Sequence, residues 1–271
     1  MSAKMAVPEP YTVLITGAAS GIGRCFAQHY LSRPETRVIA ADINKIDIPA
    51  ESKLEPSNKH EARFKATLVN FHIDMSSATS IKDTIASLKL KHLIAHIDLL
   101  IHSAGIRGLN PTIEAANPDN VAASETLEVM DATTMLRTYQ INTLGTFTLL
   151  QSLIAHSLFY PKDLPSSSPA KAIIMTSRMG SISYNTAGGG YAYRASKAAL
   201  NAIVRSMSID VPDVIFALVH PGRVETGLTR CREEGAIEAE ESVGDMLGVI
   251  ERLREEDSGK FMDRFGKEIG W

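Results

Sequence analysis

Cysteine is scarce in this chain: two occur among 271 residues, Cys25 and Cys231. The first falls in a stretch patterned like a packed helix and the second in a loop-like stretch. They read as free thiols in a reducing compartment, with the cytosol as the expected location. Long apolar runs are missing as well. No uninterrupted stretch of about 18 apolar residues occurs, and the opening MSAKMAVPEP has no apolar signal core. Neither a membrane helix nor a secretory leader is expected. A basic excess is the third absence: 28 Lys and Arg stand against 31 Asp and Glu, for a net charge of -3. That balance leaves no electrostatic footprint for a nucleic-acid partner. Metal-ligand spacing is confined to His92 and His96 in HLIAH, without the usual glutamate or a third ligand. These are expected to be surface histidines of a helix, and no metal is expected.

The chain does carry 44% hydrophobic residues, enough for one sizeable core, so residues 1–271 are expected to form a single domain. Seven short apolar runs punctuate it: YTVLITG, TRVIAAD, ATLVNFHID, HIDLLIHSAG, AKAIIMTS, DVIFALVHPG and GKFMD. Longer helical patterns separate them, near 21–32, 76–95, 131–158, 191–211 and 237–255. Nearly continuous apolar strands alternating with helices predict an α/β Rossmann-type fold, a doubly wound seven-stranded parallel sheet with helices on both faces. The stretches 44–63 and 106–124 read as surface excursions, with Pro49, Pro56, Pro111 and Pro118 as breakers. PKDLPSSSP (161–169) reads as a polar linker. REEGAIEAEES (232–242) reads as an exposed helix entry.

Between the first strand and the first helix stands TGAASGIG, Thr16 to Gly23. In that strand-turn-helix context, backbone N–H groups can face a pyrophosphate. Gly17 permits the tight turn, and Gly21 and Gly23 permit close approach of cofactor and helix to the strand, with Ser20 and Ile22 in the same loop. Asp42 ends the second strand, 19 residues after Gly23. Its carboxylate can accept both adenosine ribose hydroxyls and would repel a 2′-phosphate, and neither Ser20 nor Ile43 adds positive charge there. NAD(H) is therefore favoured, with NADP(H) as the alternative. Asp74 and Met75, ending the third strand, are expected at the adenine. At the other end of the chain, Tyr193 and Lys197 in YAYRASK are four residues apart on an expected helix. An ammonium beside a phenol favours the phenolate and lowers a pKa that is ordinarily near 10.

Taken together, the glycine loop, Asp42, HSAG (102–105), Asn142, Ser177, Tyr193 with Lys197, and HPGRVET (220–226) resemble, in order and spacing, the short-chain dehydrogenase/reductase family over essentially the whole chain. The long interval of 16 residues between Ser177 and Tyr193, the doubled tyrosine of YAYR and the ending SGKFMDRFGKEIGW resemble the branch of bacterial C-factor proteins and insect sniffer-type carbonyl reductases. The resemblance implies a set of roles. Tyr193 exchanges the proton with a carbonyl or alcohol, and Lys197 holds the nicotinamide ribose. Ser177 hydrogen-bonds the substrate oxygen, and Asn142 holds a water linked to Lys197. Ser103, Ala104 and Gly105 line the cofactor. Pro221, Gly222, Val224 and Thr226 position the nicotinamide, and the stretch near 222–245 folds over a small-molecule substrate. It also implies a homodimer or homotetramer through the helices at 131–158 and 191–211. Ser181 and Tyr191 are rivals to Ser177 and Tyr193; Gly180 three residues after Ser177, and the lysine four after Tyr193, decide against them.

Two departures stand out. His102 and Ser103 replace the family's usual pair of asparagines, and Asp42 is unusual for a branch whose reductases commonly use NADPH. Arg178 and Arg223 offer contacts for an acidic substrate group, although solvation is the expectation for both. The function implied is NAD(P)(H)-dependent hydride transfer between nicotinamide and a carbonyl/alcohol pair, in the direction of reduction. The alternatives are an NAD(H)-binding signalling protein on the same scaffold and a non-redox enzyme of dehydratase or epimerase type.

Overall fold

In the computed structural model the described residues are 9–48, 66–159, 168–229 and 231–271. Seven strands occupy the seven apolar runs: β1 (Tyr11–Thr16), β2 (Thr36–Asp42), β3 (Thr67–His72), β4 (Leu99–His102), β5 (Ala170–Met175), β6 (Val214–His220) and β7 (Lys260–Asp263). All pair in parallel, in the order β3-β2-β1-β4-β5-β6-β7. The runs are nearly continuously apolar because the sheet is covered on both faces. Along β1, Leu14 points into one core and Val13 and Ile15 into the other. The first core takes Ile81 and Ile85 of α2 (Ala78–Leu90), Leu149 and Leu153 of α5 (Thr146–Ala155), and Leu200 and Val204 of α6 (Tyr191–Asp210). The second takes Phe26 of α1 (Gly21–Leu31) and Val243 and Met246 of α7 (Ala239–Arg252).

Strand order reverses between β1 and β4, whose carboxyl ends open a crevice at the switch point. Gly17 leaves β1 there with φ +71°, and a Cβ on it would lie 2.8 Å from the Ala104 nitrogen after β4. A side chain at 17 would wedge the two strand ends apart. Gly23 is tighter still: a Cβ would sit 2.2 Å from the Gly17 oxygen, so helix α1 can close on the loop only through glycine.

Three sequence expectations need correction. The helix expected over 76–95 stops at Leu90, because the Lys91 and His92 amides both turn back to the Ser87 carbonyl and Leu93 adopts φ +52°. His92 and His96 consequently do not share a helix face; His92 packs edge-on against Phe71, and His96 pairs with Asp98 at 3.1 Å. The excursion 106–124 contains a short helix, α3 (Pro111–Ala116). Pro111 starts that helix instead of breaking it: it sits in the first turn, where no amide is needed, and the Asn110 side chain accepts from Thr112 and Ile113. The helix expected over 131–158 is α4 (Ala132–Tyr139), a π-type turn (Gln140–Gly145) and then α5. Most of the expected excursion 44–63 and of the linker 161–169 lies outside the described residues.

Candidate active site

The crevice holds two adjoining cavities. One, of about 450 Å³, begins under Gly17, Ser20, Gly21, Ile22, Asp42 and Ile43, passes Asp74 and Met75, then Ser103, Ala104 and Gly105, and ends at Tyr193, Lys197, Pro221 and Thr226. The other, of about 510 Å³, is lined by Ser177, Tyr193, Pro221, Gly222, Val224 and Thr226 among others. Tyr193 belongs to both. Of the residues named from sequence, Gly23 and Asn142 line neither. Gly23 lies behind the loop, and Asn142 lies behind Gly105, where a Cβ would come within 3.0 Å of its Oδ1. Ser181 is also absent from both cavities, its hydroxyl held by the Gly270 carbonyl and Ser183.

The first cavity suits a nucleotide. Helix α1 starts with neither a side-chain cap nor an acid in its first turn, which leaves N–H groups for a phosphate. Asp42, 8% exposed, accepts from Ala19 N at 3.0 Å and Asn44 N at 2.8 Å. A carboxylate has about four acceptor positions, so two stay open for hydroxyls. The residues present fit a dinucleotide.

Around Tyr193 the chain builds a buried polar centre. Ser177 ends the segment after β5 and caps a single 3-10 turn, its Oγ accepting from Met179 N at 3.1 Å. Gly180 lets that turn lie on α6: a Cβ would meet the Lys197 backbone at 2.8 Å. The long interval to Tyr193 is consumed by a loop ending in Gly188, Gly189 and Gly190, all at positive φ. Arg194 ties it back through the carbonyls of Gly189 and Gly188. Asn142, in the π-type turn, accepts from Ile106 N and donates to Ile106 O, both at 2.8 Å, and donates to Ser196 Oγ at 3.1 Å. It thereby fixes the loop after β4 against α6. Lys197 is 5% exposed and donates to the Met175 carbonyl at 2.9 Å; burial lowers its pKa to about 8.

Burial raises the Tyr193 phenol above its ordinary value, and the strongest opposing influence is the Arg107 guanidinium, followed by a hydrogen bond with Ser177. The Lys197 ammonium, 5.7 Å from the ring centroid, was the neighbour expected to pull the phenol down; the Arg107 guanidinium, 5.0 Å away, is the larger influence. Arg107 is held by Glu125 through two hydrogen bonds, Nε to Oε2 at 3.0 Å and Nη2 to Oε1 at 2.9 Å. The pair is 12% and 13% exposed. Glu125 also accepts the Gly190 amide through its backbone carbonyl at 2.9 Å, joining the brace to the start of α6. Sequence reading missed this pair. Its only signal is an arginine two residues past HSAG, and its partner lies 18 residues on, without periodicity.

His102 keeps a brace where the family's asparagine would stand. Its Nδ1 lies 2.7 Å from Thr16 Oγ1 and its Nε2 2.8 Å from Thr146 Oγ1. The Thr146 hydroxyl proton goes to the Asn142 carbonyl at 2.8 Å, so Nε2–H donates to Thr146 and Nδ1 accepts from Thr16. The ring is thus neutral and links β1 to the first residue of α5. Burial, then the charge of Lys197, lowers its pKa to about 3. Burial likewise takes His220 to about 4. Both groups bind a proton more readily unfolded, near pH 6.5, so stability is full above that value and is lost as pH falls toward 4 and 3. His102→Asn is expected to reduce the slope of unfolding free energy against pH between pH 6 and 4 by about 1.4 kcal/mol per pH unit, one proton's worth. Urea unfolding across that range measures it, and an unchanged slope would refute the assignment.

With this geometry in view, the comparisons with known proteins are direct. The model of the short chain dehydrogenase family matches residues 11–236. The chain belongs to the short-chain dehydrogenase/reductase family. Among its relatives in that family, the C-signal protein of Myxococcus xanthus is 37% identical over 177 residues, 65% of this chain and 93% of that protein. A short chain dehydrogenase of Penicillium aethiopicum, gsfK, is 30% identical over 276 residues, 97% of this chain and 100% of its own. The NADPH-bound carbonyl reductase from chicken fatty liver superposes with a TM-score of 0.75 at 29% identity, covering 97% of this chain and 100% of that one. Carbonyl reductase Sniffer of D. melanogaster gives 0.75 at 25%, with the same coverage. The resemblance to the C-factor and sniffer branch read from the sequence is borne out. No helix among the described residues is long and apolar enough to cross a membrane.

Proposed function

We propose that this short-chain dehydrogenase/reductase reduces a ketone or aldehyde of a small molecule, with Tyr193 as the proton donor. The observation that carries the proposal is the place of Tyr193 in the wall shared by a nucleotide-sized cavity and a second cavity lined by Ser177. A nicotinamide cofactor held in the first cavity would supply hydride chemistry at the carbonyl carbon. The Tyr193 hydroxyl delivers the proton to the carbonyl oxygen, and the Ser177 hydroxyl donates a hydrogen bond to that oxygen as negative charge develops. Lys197, partly charged with a pKa near 8, favours the phenolate left behind and binds the ribose. A phenol raised by burial is protonated at neutral pH, the state that reduction requires. Gly17, Ser20, Gly21 and Ile22 hold the phosphates, Asp42 and Ile43 the adenosine ribose, and Asp74 and Met75 the adenine. Ser103, Ala104, Gly105, Pro221, Gly222, Val224 and Thr226 surround the nicotinamide half.

The carboxylate of Asp42 argues for NAD(H), whereas the chicken carbonyl reductase carries NADPH. Similarity to C-signal supports a second reading, a cofactor-binding signalling protein. A panel of aldehydes and ketones, followed by consumption of NADH or NADPH in the wild type and in Tyr193→Phe, tests the proposal. Turnover lost in the variant supports reduction, while no turnover beside intact cofactor binding supports signalling. Arg107 gives a finer test. Arg107→Met removes the main charge that lowers the phenol, and the pH at which alcohol oxidation reaches half its maximum is expected to rise by about one pH unit. An unmoved profile would leave Arg107 a purely structural brace.

A further inference from the structure

The cavity on the Ser177 side carries five arginines: Arg107, Arg178, Arg194, Arg223 and Arg264. Four are committed. Arg107 is paired with Glu125 and Arg264 with Glu241 and Asp245. Arg194 donates to the carbonyls of Gly188 and Gly189, and Arg223 to that of Glu234. Arg178 differs. It directly follows Ser177, its Nε is buried without a hydrogen-bond partner, and no side-chain hydrogen bond or ion pair engages it among the described residues. Its guanidinium carbon lies 4.7 Å from the centroid of Tyr184, so the flat face rests near a ring and the N–H edges remain free to donate.

A second nitrogen in the same cavity is also without a partner. His220 Nδ1 is buried and unbonded, and the ring feels the charge of Arg178. The acids of the cavity do not satisfy Arg178. Asp263 turns Oδ1 to the amides of Phe265 and Lys267, and neither Asp263 nor Glu233 forms an ion pair with it. A buried guanidinium N–H left unpaired is costly, and it can be satisfied only by an acceptor. Carboxylates and phosphates match a planar guanidinium edge through parallel hydrogen bonds, and the singly charged carboxylate is repelled less in a cavity that also holds Asp263 and Glu233.

We propose that Arg178 and His220, in the same cavity, form an anion subsite that selects carbonyl substrates bearing a carboxylate. The inference rests on the reductase reading of the same cavity and goes beyond it by naming the substrate class: oxo acids for reduction, hydroxy acids for the reverse. Ser177 and Arg178 line the same cavity, so one substrate molecule can place its carbonyl at the first and its carboxylate at the second.

The test separates binding from turnover. Calorimetry with the protein saturated with oxidised cofactor would compare 4-phenyl-2-oxobutanoate with its neutral primary amide. The wild type is expected to bind the acid at least ~10-fold more tightly, the usual worth of a hydrogen bond to a charged group. Arg178→Met should bring that ratio to about one, and Arg178→Lys should keep part of it, with cofactor affinity and thermal melting confirming that both variants are folded. A wild-type ratio near one, no binding of the acid, or a preference that survives Arg178→Met would overturn the subsite. Reduction of the amide by wild type and Tyr193→Phe reports on the reductase reading separately. Acid preference without turnover keeps the subsite and sinks that reading; tyrosine-dependent turnover without acid preference does the reverse.

Discussion

Tyr193→Phe is expected to lower carbonyl reduction by at least ~100-fold, the customary contribution of a positioned acid, while leaving cofactor affinity within a few-fold of wild type. The substitution removes one oxygen from a ring that is already buried between Arg107 and Lys197. The ring packing survives, and a large loss of stability is not expected. What disappears is the only phenol in the wall shared by the two cavities; of the other hydroxyls there, Thr176 is tied to Asn201 Oδ1 at 2.7 Å and Thr226 is an alcohol far less acidic than a phenol. Ser177, a second hydroxyl donor near that junction, can still polarise the carbonyl but lies in the second cavity alone. The loss should appear in kcat and kcat/KM together, because the proton moves in the transition state and the phenol adds little to ground-state binding. Ser177→Ala is expected to fall in the same direction by a smaller factor. A Tyr193→Phe protein that keeps most of its turnover would remove the phenol from the reaction.

The sheet was legible because parallel strands buried on both faces are nearly continuously apolar, and the central stretches of β1, β2, β5 and β6 are, with polar residues such as Arg37, Asp42 and Lys171 toward the strand ends. β3, at the sheet edge, is half exposed, and its run contains Asn70 and His72; its apolar residues still sufficed. The candidate site was legible where one local pattern encodes its parts: the glycine loop, and Tyr193 with Lys197 on one helix. It became illegible where residues meet without periodicity. Arg107 and Glu125 meet through the loop after β4 and the start of α6. Arg178 was visible as a residue type, but its buried, unpaired Nε belongs to the fold of the loop around Tyr184. The early end of α2 depends on Leu93 in a left-handed conformation, which a leucine does not advertise. His102 takes the place of the family's asparagine, and a brace there needs a partner at each ring nitrogen. The structure places threonines at 16 and 146 that supply both, one on a strand and the other on a helix far along the chain.

Cofactor choice turns on one carboxylate. Asp42 closes β2 at the mouth of the nucleotide cavity, and its two backbone hydrogen bonds aim it while leaving acceptor positions free. Two unit charges about 4 Å apart near a protein surface repel by about 4 kcal/mol, and water and salt reduce this considerably. A 2′-phosphate carries more than one negative charge at neutral pH, so even a discounted repulsion outweighs tenfold in affinity. The cavity's cations, Arg107, Arg137 and Lys197, lie elsewhere in the chain than the Ser20 to Gly23 and Asp42 to Asn44 segments that frame the ribose end. Wild type is therefore expected to bind NADH at least ~10-fold more tightly than NADPH by calorimetry at fixed low salt. Asp42→Asn keeps the shape and removes the charge, and should bring the two affinities within a few-fold; Asp42→Ala should also weaken NADH through lost ribose contacts. The preference should shrink in the wild type as salt rises, since screening weakens repulsion and spares hydrogen bonds. Tighter NADPH binding by the wild type would show that the carboxylate turns away from the ribose when nucleotide enters, and would align this chain with the NADPH-bound chicken carbonyl reductase.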